Sequence, residues 1–145
     1  MALALADAIE AAIPGWVTGC VARVMSARSV PMDRETTEAA AAAGARAQAE
    51  AGAAIRALLA ADIDDQRSTP LTVLRQAVRY PTGVLAAAGV APAARDGFAE
   101  RAFPDDVYDL TPAALGDIDP ALTDLGIYWG AAKAFEHKRR HGPRR

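Results

Sequence analysis

Leu5, Ile9, Ile13, Val17, Val21 and Val24 recur at spacings of four, four, four, four and three, with Trp16 and Cys20 flanking the row. Such a row is an apolar stripe along one side of a helix. No segment elsewhere alternates with period two, and the prolines stand at helix starts rather than inside strand-like runs. The chain therefore reads as all-α, a compact bundle of three longer helices and two or three short ones. Pro14-Gly15 lies inside the first stripe. It predicts a kink, or two helices over about 3–13 and 15–28.

Most of what the other helices can pack with is alanine, which supplies 37 of the 145 residues. Leu, Ile, Val and Phe together number 29. So few large apolar residues bring a chain to the edge of disorder, but a net charge of −2 is too small to hold it open. A chain of this length buries roughly 68–70% of its unfolded surface, so one compact domain is expected over residues 1–137. Residues 138–145 are expected to be a basic, frayed end.

Asp33 is placed to cap the longest helix, about 34–63. Its first half is nearly pure small residue (EAAAAAGARAQAEAGAA), and its second half carries Ile55, Leu58, Leu59 and Ile63. Alanine has high helix propensity and buries little surface, so this face invites a closely packed neighbour. Thr69-Pro70 starts a helix with Leu71, Leu74 and Val78, which Pro81 is expected to stop after Tyr80. Thr82 then caps a short helix that Gly89 closes, Pro92 opens another to about 102, and Thr111-Pro112 suggests one helical turn. Asp119-Pro120 opens the last helix, about 120–140, with Leu122, Leu125, Trp129, Ala132 and Phe135 as its stripe. Gly126, Gly130 and Ala134 form a small-residue groove on it, suited to the alanine face of the long helix.

Much chemistry is excluded by residue supply. The lone Cys20 allows no internal disulfide and no cysteine-clustered metal, and it reads as a buried small hydrophobe. The only histidines, His137 and His141, lie in the last nine residues, so the body holds no Ser-His-Asp or Cys-His centre. Glu-x-x-His, phosphate-loop, nucleophile-elbow and dinucleotide signatures are absent, and no cofactor is expected. The N-terminal segment has no basic start, and Asp7 and Glu10 interrupt it, so it reads as an amphipathic helix rather than a signal peptide. No unbroken run of apolar residues is long enough to span a bilayer. A cytoplasmic protein with no membrane partner is expected, and the Ala- and Arg-heavy composition suits a high-GC bacterial genome.

Charge is uneven. Residues 133–145 carry a net +5, residues 1–132 a net −7, and residues 96–124 hold eight acids against Arg101. Three charged clusters are candidate sites. Asp105, Asp106 and Asp109, beside Tyr108, offer oxygen ligands to Mg²⁺ or Ca²⁺, or cap helix ends in a solvated loop. Asp62, Asp64 and Asp65 either oppose the dipole of the long helix or favour the start of the next. Arg67, Arg75 and Arg79, with Tyr80, could hold an anionic small molecule, and the acidic segment 105–109 is their simpler partner. The basic tail suggests nucleic-acid phosphate, but an acidic body and a tail without aromatics are opposite to the usual nucleic-acid footprint, so a nucleic-acid partner is not the leading expectation. Gly126, Tyr128, Gly130 and Phe135 mark a candidate interface on the last helix. These features favour a non-enzymatic interaction protein that associates with itself or with another protein. The alternatives are a binder of an anion or divalent metal, with possible enzymatic activity through aspartate and tyrosine, and a nucleic-acid regulator acting through the tail.

Overall fold

A computed structural model of the chain describes residues 1–61 and 68–143. Asp62, Ile63, Asp64, Asp65, Gln66 and Arg67 lie outside those residues, and with them the second acidic cluster and the first of the three arginines. Among the described residues the fold is all-α. Its helices are α1 (Ala2–Ala27), α2 (Arg34–Ala60), α3 (Pro70–Gln76), α4 (Arg79–Ala87), α5 (Gly97–Ala102) and α6 (Leu122–His141), with a 3₁₀ turn at Leu115–Asp117.

The expected stripe of α1 is the centre of the core. Leu5, Ile9, Ile13, Val17, Cys20 and Val21 have no exposed surface. α1 and α2 form an antiparallel pair, α4 packs across both, α3 packs on α2, and α6 lies on α1. On α2, Ala40, Ala43, Gly44, Ala47, Ala51, Gly52 and Ile55 are buried. The close neighbour of the alanine face is thus α1, not the last helix, because Gly44 and Gly52 face Pro14 and Glu10 of α1.

Pro14 breaks nothing: α1 runs unbroken from Ala2 to Ala27. A proline inside a helix leaves the carbonyl four residues back without its donor. Here that carbonyl belongs to Glu10, and Gln48 Nε2 of α2 donates to it at 3.2 Å. The two separate helices that the sequence allowed are thus one, and the carbonyl the proline leaves without its backbone donor is served by a side chain 38 residues further on. Gln48→Leu is therefore expected to cost about 1–2 kcal/mol, the cost of an unsatisfied partly buried carbonyl. In a Pro14→Ala background most of that cost should vanish, because the alanine restores the missing N–H. A denaturant double-mutant cycle in which the two effects simply add would show that Gln48 does not serve this carbonyl.

Asp33 caps α2 as expected, its carboxylate accepting from the Thr36 N–H at 2.7 Å. That bond to the backbone holds the Asp33 carboxyl below its ordinary range. A depressed native pKa means the cap's contribution is complete above the unfolded-state pKa and is lost as the pH falls through the native one. Asp33→Asn keeps an acceptor without the titration. The two proteins should melt together near neutrality, and in acid wild type should lose ground to the variant. Parallel melting curves across the acid range would contradict this role.

Three boundaries differ from the sequence expectation. Pro81 does not end a helix: it sits in the first turn of α4, where a missing N–H has no helical partner to lose. The break falls at Ala77 and Val78, and the Tyr80 N–H closes it on the Ala77 carbonyl. The helix predicted from Pro92 begins instead at Gly97, capped by Asp96 through the Ala99 N–H. The turn expected at Thr111-Pro112 forms at Leu115–Asp117, where the Asp117 carboxylate accepts from the Ala113 and Ala114 N–H groups. At the other end, α6 continues through residues 138–141.

α1 is also long and apolar enough to cross a membrane by length and composition, with a mean hydropathy of 1.2 over its best window. A helix with polar interruptions passes on average where an unbroken run fails. In the fold, 44% of that window is buried within the protein.

Candidate interaction surface

α6 is seated most deeply at its N-terminal end. The Asp119 carboxylate accepts from the Ala121 N–H, and Leu122 is buried. A Cβ at Gly126 would fall 2.5 Å from Leu115 Cδ1, so this glycine receives the 3₁₀ turn. Gly130 has open space around it. The Gly126–Gly130–Ala134 groove is therefore not filled by the alanine face of α2, which α1 already occupies.

Only Leu122 of the twenty α6 residues is buried. Leu125 and Trp129 pack partly against the core, and the Lys133 ammonium lies 5.1 Å from the centre of the Trp129 ring. On the opposite side Ile127, Tyr128 and Phe135 are 62–67% exposed. Phe135 thus leaves the core stripe in which the sequence placed it. The drift is geometric: Leu122, Leu125 and Trp129 face α1, and Phe135 has turned past that line. Ile127 carries as much exposed apolar surface as Tyr128, and sequence reasoning passed it over. Its signal was available, since it adjoins Tyr128 and stands eight residues before Phe135.

Of the charged clusters, Arg75, Arg79, Tyr80 and Asp106 are bonded within the fold. Arg75 and Arg79 do share a cleft with Asp105 and Asp106, beside Phe103 and Thr111. The arginines nevertheless bond elsewhere: Arg75 Nε donates to the Pro112 carbonyl at 3.4 Å, and Arg79 donates to Glu50 and to the Tyr80 hydroxyl. Tyr80 in turn donates to the Glu50 carboxylate. Desolvation, reinforced by that bond, pushes the Tyr80 hydroxyl above its usual value and keeps it a donor rather than a phenolate.

The three aspartates have separate roles. Asp105 is exposed, and Asp109 sits at φ +60 on another cleft, beside Trp16 and Arg23. Asp106 is buried, and its carboxylate accepts from the Leu110 and Thr111 N–H groups and the Thr111 hydroxyl. Its oxygens face the loop's own donors. Among the described residues no group of three acidic, histidine or cysteine side chains is placed to hold a metal ion. The Cys20 thiol is pushed up by burial, against the opposing pull of Arg23, whose guanidinium lies 3.3 Å from Sγ. A thiol so shielded is a packing group.

No protein-family model matches the chain, and no curated protein or solved structure matches it.

Proposed function

We propose that this is a non-enzymatic helical interaction protein whose docking element is the outer face of α6. One observation carries the reading: a twenty-residue helix keeps a single residue buried while Ile127, Tyr128 and Phe135 stand in solvent. Helical stability in proteins comes mainly from packing an apolar face, and contiguous exposed apolar surface on a small domain marks a contact site. The polar clusters support the same reading from the other side, since Asp106 and Tyr80 bond within the fold. The amphipathic arrangement suits helix-against-helix recognition, with aromatic anchors in the middle and charge at the ends.

The test is a double substitution, Ile127→Ser with Phe135→Ser. Both side chains are exposed, so the thermal midpoint of the isolated chain should hold within a few degrees. The wild-type protein should run in solution above its 15.1 kDa chain mass, or in a complex from its native source, and the variant as the bare chain. A wild-type protein that remains a bare chain in both settings would end the proposal.

A further inference from the structure

The outer face of α6 has a symmetry of its own. At about 100° per residue, Asp124, Ile127, Tyr128, Ala131, Ala134, Phe135 and Lys138 fall within an arc of about 120° centred on Ala131. All seven are exposed. The arc is apolar in the middle, acidic at one end and basic at the other. Neither Asp124 nor Lys138 has an ion-pair partner among the described residues.

Resting on the docking role of α6, we infer that the occupant of this face is a second copy of the same face, antiparallel, with the two-fold axis at Ala131. An antiparallel pair crossing there sets each position opposite the one equally far on the other side of Ala131. Ile127 then meets Phe135 of the second copy, Tyr128 meets Ala134, and Asp124 meets Lys138. Each large side chain is offered a partner: Phe135 an aliphatic one, and Tyr128 the space above an alanine. The exposed glycine at 130 and the alanines at 131 and 134 let the helices approach closely. Two identical ion pairs close the ends, and this isologous arrangement is the commonest way for identical chains to associate. A parallel pair would instead stack Lys138 on Lys138 and Asp124 on Asp124. One helix pair is a small interface, so association in the micromolar range is expected.

Charge reversal on the purified full chain, read by sedimentation equilibrium, tests the register. Wild type should show the mass of two chains. Lys138→Asp should weaken the pair about tenfold, because both end contacts become repulsive. Adding Asp124→Lys should restore it. That rescue cannot come from helix stability, since both reversals oppose the helix dipole. A wild-type dimer indifferent to Lys138→Asp, or one the second reversal leaves broken, would overturn the antiparallel register and leave the docking role of α6 standing. A wild-type monomer at about 100 µM would overturn self-pairing. A photo-crosslinking residue at position 128 in cells then separates the two ideas: an adduct with a different protein retains α6 as the docking element, and no adduct at all ends both.

Discussion

Gly44→Leu should be among the most damaging single substitutions in the protein, costing at least ~3 kcal/mol and lowering the thermal midpoint by roughly 6–12 °C. A Cβ at Gly44 would already lie 3.1 Å from both Cα and O of Pro14. Those are backbone atoms and cannot rotate away, so a leucine has to push α1 and α2 apart. The buried alanines on either side, Ala40, Ala43, Ala47 and Ala51, have no length with which to bridge a gap opened beside them. The bond from Gln48 to the Glu10 carbonyl is lost as the helices part. Against a total stability of roughly 5–15 kcal/mol this is a large fraction. Gly15→Leu is the control. That glycine neighbours Pro14, is exposed, and would give a Cβ nothing to meet within 4 Å, so leucine there should be neutral or stabilising by up to ~1 kcal/mol. Equal melting of the two variants would show that the α1–α2 contact is not the tight one.

The alanine face and the apolar stripe of α1 were legible separately in the sequence, but their pairing was not. Periodicity says which side of a helix is buried. It does not say against what, because alanine and glycine make an equally good bed for any neighbour. The sequence favoured α6 as that neighbour on the strength of Gly126, Gly130 and Ala134. The chain uses Gly126 for Leu115 instead and leaves Gly130 open. The proline boundaries failed for a similar reason. Pro14 and Pro81 act locally as breakers, and each is accommodated, one by a donor from α2 and the other by lying within a first turn. Caps fared better where the acceptor and its target N–H are three residues apart, as at Asp33 and Thr69.

The charged clusters were visible as clusters, and their destinations were not. Arg75 and Arg79 do reach the cleft that Asp105 and Asp106 line, yet Glu50, 29 residues before Arg79, takes the ion pair. No local spacing encodes that contact. Tyr128 and Phe135 stand exposed on the face where the sequence raised a patch for a second subunit, and Ile127 extends it. The antiparallel register rests on positions the sequence already shows, but it becomes an argument only once α1 is seen to occupy the opposite side of α6.

Asp106→Ala should match Gly44→Leu in cost, at about 3 kcal/mol, by a different route. Asp106 is 3% exposed, and its carboxylate gathers the N–H groups of Leu110 and Thr111 at 2.8 and 2.6 Å together with the Thr111 hydroxyl. Alanine leaves all three donors facing a space that no carboxylate fills, and donors to a charged acceptor lose more than donors to a neutral one. Arg95 still ties the Phe103 and Asp106 carbonyls together from the other side, at 2.6 and 2.8 Å, so residues 103–106 should keep their path. The damage should begin after them. The Leu110 and Thr111 amides should exchange hydrogen far faster than in wild type, while the amides of α1 and α2 slow or quicken only with global stability. Asp106→Asn, which retains one acceptor oxygen, should recover about half of the loss. Because this loop leads into the 3₁₀ turn whose Leu115 seats Gly126, Asp106→Ala should also loosen α6 without touching its outer face. If the amides at 110 and 111 exchange no faster than their neighbours, Asp106 is not the group that holds the loop.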